Sequence, residues 1–248
     1  MYTASTNCQI KSNPNQVNPK FVPATFGATD EGKITLTAKS QESVLIKFLY
    51  VNASQAGVVD DVKIGNQSLN CSDSAIDLAL FKPSTQRKPF VGVAVDGNIQ
   101  LTVDVSTDAA ADVSAGYTCE AIADAPSMNE QGDAIDKFFG LGSVSVPAGG
   151  SAQLSAQCLR DCFIKSLVLS SHDAANASKI TVSDITIKGR SIFSGQSGAG
   201  IGIDLFETQT QDFTLMINTA LATNERVVVT LASSAAAAVT VGGGAYCE

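Results

Sequence analysis

Hydrophobic and polar residues alternate with a period of two over much of this chain. The alternation is clearest in segments 34–38, 99–105, 201–205, 213–217 and 227–231. Alternation of this kind is typical of strands that turn one face towards a core. Helical periodicity is absent apart from one short stretch near the middle of the chain. The pattern therefore predicts an all-β protein.

Three further segments refine this prediction. Segments 44–51 and 163–169 are apolar at both parities, as expected of central strands that are buried on both faces. In segment 180–187, Ile180 and Val182 have one parity, whereas Ile185 and Ile187 have the other. A β-bulge near Ser183 would return all four side chains to a single inward face.

The same sequence elements occur twice, in the same order. The matched pairs are 26–27 with 139–140, 45–49 with 163–167, 59–65 with 182–189, 76–78 with 203–205, 101–103 with 229–231, and 117–120 with 245–248. The spacing between partners increases along the chain, as loop insertions after a duplication would produce. An ordered set of matches of this kind predicts two copies of one domain.

The repeat divides the chain into four parts. Residues 1–25 are polar and contain three prolines, so we predict an N-terminal arm without a core of its own. The first domain spans 26–120, a connector with a short helix near 129–137 spans 121–137, and the second domain spans 138–248. Seven or eight strands in roughly 100 residues fit a two-sheet sandwich. Because the chain has no Trp, the immunoglobulin pattern fails, and we predict two tandem jelly rolls.

The composition of the chain excludes some classes of function. Only 16% of the residues are charged and the net charge is −8. Such a charge-poor surface either is covered by other subunits or belongs to an ordinary Ser/Thr-rich β-protein. Direct nucleic-acid binding is not expected, because it needs clustered Lys and Arg. No leader peptide and no run of about 18 apolar residues are found, so we expect synthesis in a cytoplasm.

The six cysteines suggest no duplicated disulfide. Cys119 and Cys247 are equivalent in the repeat, whereas Cys71 has no counterpart near Cys158 or Cys162. If Cys158 and Cys162 share a strand, their Cα atoms lie about 13 Å apart, whereas a disulfide needs less than about 7 Å. We therefore expect reduced, buried thiols. We predict no metal site, because a structural zinc site needs four ligands.

No other constellation predicts catalysis or cofactor binding. Ser171, His172 and Asp173 are triad residue types, but adjacency in sequence does not align them. Asp77 and Asp204 match in the repeat, and we expect each to make a structural contact in a turn. The Gly-rich segment 195–202 leads into a strand pattern rather than a helix, so it predicts an inter-strand loop. Four Asn-X-Ser sequons carry no meaning without a leader; they begin at Asn52, Asn66, Asn70 and Asn176.

A family resemblance rests on the repeated segment Val-X-Asp-(Val/Ile)-X-Ile-(Lys)-Gly at 59–65 and 182–189, the doubly apolar strand before it and the strand pair after it. With the tandem sandwiches and the arm, these segments resemble the double-jelly-roll major capsid proteins of tailless, membrane-containing bacteriophages. The resemblance implies a major capsid subunit of the virion, made in the host cytoplasm. It also implies a homotrimer with six similar corners that tiles an icosahedral shell. The implied partners are other copies, other virion proteins and an internal membrane.

Two other function classes compete with this interpretation. A surface-exposed carbohydrate-binding or adhesive β-sandwich module would predict aromatic platforms or calcium-binding Asp clusters, and the chain has no Trp. An enzyme would need polar residues gathered in one place, and here they are scattered along the chain. We therefore expect a non-enzymatic structural protein, with no catalytic, cofactor-binding or metal-binding residues.

Overall fold

In the computed structural model of the chain, the described residues are 20–23, 27–29, 33–39, 42–81, 93–97, 99–122, 137–192, 200–206 and 215–247. Within these ranges the chain forms β-strands and short 3₁₀ turns, and none of the ranges contains an α-helix. Likewise, no helix of this part of the chain is long and apolar enough to cross a membrane. Apart from Lys137, the predicted connector helix lies outside the described residues.

The first half forms two antiparallel sheets. One has the order β1 (Lys20–Pro23), β10 (Ala111–Ala121), β4 (Val44–Ala53) and β8 (Val93–Val95), with β2 (Gly27–Thr29) also pairing β10. The other has the order β3 (Lys33–Lys39), β9 (Gln100–Thr107), β5 (Gly57–Ile64) and β6 (Gln67–Ser68), with β7 (Ile76–Asp77) also pairing β5.

The second half repeats this arrangement. One sheet has the order β11 (Lys137–Val146), β19 (Val239–Cys247), β13 (Cys162–Ser171) and β17 (Leu215–Leu221). The other has the order β12 (Ser151–Gln157), β18 (Arg226–Ser233), β14 (Ile180–Ile187) and β15 (Arg190–Ser191), with β16 (Ile201–Gly202) also pairing β14. In both halves the chain alternates between the two sheets, as in a jelly roll. The predicted fold class, two jelly-roll sandwiches related by duplication, is confirmed.

Strand pairing identifies the equivalent residues of the two halves. Tyr50 pairs with Gly116 as Val168 pairs with Gly244. This register supports the matches 45–49 with 163–167 and 117–120 with 245–248. The pairing of β5 with β9 and of β14 with β18 supports the match of 59–65 with 182–189.

The other three sequence matches were wrong by two or four residues. The corrected partners are Phe21 with Phe138, Ile76 with Ile201, and Leu101 with Val227. The reason lies in the strand period. A shift by an even number of residues keeps the apolar positions on the same face, so a short match can slip without losing its pattern.

A β-bulge interrupts the same strand in both halves. The register of β14 on β18 shifts between Val182 and Asp184, where the sequence predicts it, and that of β5 on β9 shifts between Val59 and Asp61. All four apolar residues of the bulged strand β14 are buried; they are Ile180, Val182, Ile185 and Ile187. The single inward face predicted for this segment is therefore confirmed.

The alternation at 201–205 is only partly a strand. β16 ends at Gly202, and Ile203–Phe206 form a 3₁₀ turn. Ile203 and Phe206 are buried, whereas Leu205 is 48% exposed. Because a 3₁₀ turn repeats every three residues, residues three apart share its inward face. The strand prediction was wrong for this part of the segment.

The two sandwiches have separate cores that meet across β13. Val168 lies in the core cluster of the first half, whereas its neighbours Leu167 and Leu169 lie in that of the second half. This burial on both faces is what the apolar pattern of 163–169 predicts, although Phe163 is 37% exposed. Strand structure already begins at Lys20, inside the predicted arm. The division at 1–25, 26–120, 121–137 and 138–248 stays a prediction.

Candidate functional site

The first half inserts one segment into the surface of the second half. This docking segment, residues 69–81, lies against β11, β13 and β19. The backbone N–H of Phe138 donates to the Leu69 carbonyl at 2.9 Å, and that of Gly142 donates to the Ala75 carbonyl at 2.7 Å. The Tyr246 hydroxyl donates to the Leu80 carbonyl at 2.6 Å. These bonds join the two halves.

Glycines in β11 and β19 make room for the docking segment. A Cβ at Gly140 would overlap the backbone carbonyls of Ser74 and Ala75. A Cβ at Gly242 would overlap the Asp77 carboxylate. Glycine inside a strand often marks a close backbone approach. The run Gly242-Gly243-Gly244 was therefore a usable signal for this junction, and the sequence reasoning missed it.

A charged network lies at the centre of the junction. His172 Nε2 is 2.8 Å from Asp77 Oδ2, and His172 Nδ1 is 2.6 Å from Asp108 Oδ2. The Ser170 hydroxyl donates to Asp77 Oδ1 at 2.8 Å. Burial alone would lower the pKa of His172, but the hydrogen bonds and charges of Asp77 and Asp108 outweigh it and raise that pKa above its ordinary value. The network therefore favours a protonated imidazole between two carboxylates.

This arrangement is not that of a nucleophilic triad. A triad requires the hydroxyl to hydrogen-bond the imidazole that removes its proton, whereas Ser170 hydrogen-bonds Asp77. Ser171 and Asp173 pair with each other, since the Ser171 hydroxyl donates to the Asp173 carbonyl at 2.8 Å. Asp77 makes the predicted turn contact by accepting from the Ala79 N–H at 2.7 Å. Asp204 is exposed and, by the corrected register, is not its counterpart.

The structure gathers four cysteines from three separate segments of the chain. Cys71 comes from the docking segment, Cys158 and Cys162 flank the turn between β12 and β13, and Cys247 ends β19. The sulfurs of Cys71, Cys162 and Cys247 lie within 4.8 Å of one another. The sulfurs of Cys158 and Cys162 are 3.7 Å apart. The five described cysteines are buried and free, as predicted, and Cys8 lies outside the described residues.

The premise that Cys158 and Cys162 share a strand was wrong. β12 ends at Gln157 and β13 begins at Cys162, so the two residues face each other across a turn. A turn reverses the chain, and this brings together side chains that a strand would hold about 13 Å apart. Cys71, which has no counterpart near this pair in the repeat, reaches it in space because it arrives from the other half of the molecule.

The thiols of the cluster are electrostatically linked. Hydrogen bonds with Cys162 and then Cys247, helped by the charge of Arg160, lower the pKa of the Cys71 thiol to about 3. Hydrogen bonds to Cys162 and Cys71, together with burial, raise the pKa of the Cys247 thiol above its ordinary value. The cluster therefore favours one thiolate at Cys71, held by donors around it.

A solvent-filled cleft of about 570 Å³ opens beside this cluster. Its lining includes three carboxylates, from Asp60, Asp61 and Asp73, together with Leu159 and Arg160. The Arg160 guanidinium donates to the backbone carbonyl of Ser68 and, at 3.0 Å, to that of Asn70. The cleft thus leads from solvent to the loop that carries Cys158 and Cys162.

The remaining sequence candidates are dispersed. Asn70 is a buried structural residue whose amide donates to the Ser74 carbonyl at 2.7 Å. Asn52 and Asn66 are exposed, and Asn176 is half-buried. Of the Gly-rich segment 195–202, residues 195–199 lie outside the described residues, and the rest leads into β16 and a 3₁₀ turn. Neither β16 nor the 3₁₀ turn that follows it therefore provides an α-helix N-terminus that could bind a phosphate group.

No protein-family model matches the chain, and no curated protein matches it. Among solved structures, the chain is similar to the major capsid protein P2 of bacteriophage PM2. The sequence identity is 11% and the TM-score is 0.43, over 93% of this chain and 97% of that chain.

Proposed function

We propose that this chain is a non-enzymatic structural protein that self-assembles into the shell of a virion. In this proposal a trimer carries six similar sandwiches as corners, and the trimers tile an icosahedral surface. One observation carries the proposal: the second half exposes the counterpart of a segment that the first half buries. In this proposal that segment repeats the internal junction, now between chains.

The buried and exposed counterparts are Leu80 and Leu205. The corrected register aligns β7 and its 3₁₀ turn with β16 and its 3₁₀ turn, so that Leu80 corresponds to Leu205. Leu80 is 2% exposed because it packs in the junction, whereas Leu205 is 48% exposed. A large apolar side chain at a position that is buried in the other half is a candidate contact for a further subunit.

The opposite side of the chain carries the matching surface. In the second half, the docking segment covers Val168 and Gly242 on the outer face of β13 and β19. Their counterparts in the first half are Tyr50 and Ser114, which are half-buried on the outer face of β4 and β10. In this proposal the first half presents the equivalent face to a neighbouring chain, with Tyr50 in place of Val168 and Ser114 in place of Gly242.

Different surfaces at the two ends of a subunit produce a heterologous interface, which closes into a ring when its rotation permits. With two sandwiches in each chain, three chains make a ring of six similar units. A charge-poor surface suits such burial, since the cores of interfaces are depleted in charge. The net charge of −8 suits partners such as proteins or an internal membrane better than bare nucleic acid.

The proposal is tested by the mass of the purified protein in dilute neutral buffer and by negative-stain microscopy. We expect a trimer and larger assemblies. Leu205→Asp should give a monomer with an unchanged circular dichroism spectrum, because a carboxylate would have to be buried in the proposed contact. Ile192→Asp is the matched control, since Ile192 is 42% exposed and lies outside this segment.

Two outcomes would count against the proposal. A wild-type chain that stays monomeric at micromolar concentration, without larger particles, would remove the shell function and favour the carbohydrate-binding or adhesive module. A Leu205→Asp variant that assembles like the wild type would show that another surface joins the chains.

A further inference from the structure

We propose that Cys71, Cys158, Cys162 and Cys247 form a structural zinc site that fastens the first sandwich to the second. One ligand comes from the docking segment and three come from the second half. The site is independent of how the chain assembles, so a failure of the shell proposal would not affect it.

The ligand set is that of a structural site. Tetrahedral Zn²⁺ with four cysteine ligands closes its coordination sphere, and pairs of ligands typically have two to four residues between them. Cys158 and Cys162 are separated by three residues, and Cys71 and Cys247 complete the set from distant positions. All four side chains are at most 6% exposed.

The distances suit the ion. With Zn–S bonds of about 2.3 Å, neighbouring sulfurs of a tetrahedron lie about 3.8 Å apart. The Cys158 and Cys162 sulfurs are 3.7 Å apart, and those of Cys71, Cys162 and Cys247 lie within 4.8 Å of one another. Cys158 Sγ now donates to the Arg160 carbonyl at 2.8 Å. Binding requires this thiol to release its proton and turn towards the other three sulfurs.

The groups near the four cysteines favour a metal site over a cluster of neutral, buried thiols. Four thiolates and one Zn²⁺ together have a net charge of −2, and the Arg160 guanidinium lies beside Cys71. The cleft lined by Leu159 and Arg160 opens at the turn between Cys158 and Cys162. A reducing cytoplasm would keep the thiols free before the metal binds.

The first half supplies an internal comparison. Cys162 begins β13, and the equivalent residue that begins β4 is Val44. Cys247 corresponds to Cys119, which lies in the aliphatic core of the first half. The equivalent positions of the first half therefore do not reproduce the cluster, whose ligands meet where the docking segment arrives, and this is where a metal would join the halves.

The test is the zinc content of full-length protein purified without chelator, measured by mass spectrometry of the dissolved metal. We expect one Zn²⁺ per chain. Cys162→Val, which introduces the residue found in the first half, should lose the metal, and Cys119→Val should retain it. Exchange with Co²⁺ under reducing conditions should give the visible absorption of a tetrahedral thiolate site, a readout that needs no variant.

The following results would contradict the zinc proposal. Protein that binds neither Zn²⁺ nor Co²⁺ under reducing conditions would overturn the proposal. So would a mass of the denatured, non-reduced chain that is lower by the hydrogens lost in disulfides among these cysteines. Retention of full zinc by Cys162→Val would show that these cysteines are not the ligands.

Discussion

The two halves share a fold but differ where one meets the other. Both place their strands in the same order, and both bulge at the same point of one strand. The segment after that strand is buried in the first half, where Leu80 packs against the second half, and exposed in the second half at Leu205. The two halves thus share their strand order and the bulge, whereas the exposure of equivalent surface residues depends on what lies beside them.

The same contrast holds for polar groups. Asp77 contacts His172 across the junction, and Cys71 contacts Cys162 there. The residue equivalent to Asp77 is Gly202, and the residue equivalent to Cys162 is Val44. The junction thus combines polar side chains from both halves, and the equivalent positions Gly202 and Val44 lack them. Polar groups are retained in a buried junction when each has a partner there.

The largest loss of stability is expected from substitutions in the cores of the two halves. Ile64→Asp and Ile187→Asp should each unfold their own sandwich, because burying an unpaired carboxylate costs several kcal/mol, comparable with the stability of a whole domain. The two side chains are 2% and 4% exposed. Hydrogen exchange of each half shows which one unfolds. Ser183→Asp, at an exposed position of β14, is the control.

Either outcome is informative. Loss of both halves in both variants would show that the junction makes them one cooperative unit. Retention of exchange protection in the half that carries the new carboxylate would contradict the assignment of these residues to the cores.

A smaller loss of stability is expected from a substitution where the docking segment contacts β19, and almost none at the equivalent position of the first half. Gly242→Ala should destabilise the protein by about 1–3 kcal/mol, the usual cost of overpacking. The added Cβ would overlap the Asp77 carboxylate and come within 2.9 Å of His172 Nε2. Ser114→Ala, at the equivalent position of the first half, should cost less than about 0.5 kcal/mol, like most surface substitutions. Urea unfolding measures both, and equal costs would contradict the asymmetry.

The smallest effect is the pH dependence of the junction. Because the folded-state pKa of His172 is raised, its stabilisation is fully present below the ordinary value of about 6.5 and is lost as pH rises through the folded-state pKa. The melting temperature of the wild type should therefore fall as the pH rises through the folded-state pKa of His172. His172→Gln should lack that fall, and parallel pH profiles for the two proteins would refute the role of His172.

The periodicity of the chain was enough to predict the class of fold. Alternation with a period of two, the repeated order of segments and the bulge near Ser183 were readable because side chains of a strand point to opposite faces. The same periodicity could not determine the alignment of the repeat, since a slip of two residues leaves the pattern intact. That is why Ile76 was matched to Ile203 instead of Ile201.

The junction and the cysteine cluster become apparent only in the folded chain. Cys71 and Cys247 lie far apart along the chain, and no local pattern reports that β19 ends beside the docking segment. The same is true of His172, whose partners Asp77 and Asp108 come from the other half. Local sequence specifies which face of a strand is buried. The contacts made between two folded sandwiches depend on how their surfaces fit, and that fit exists only after both have folded.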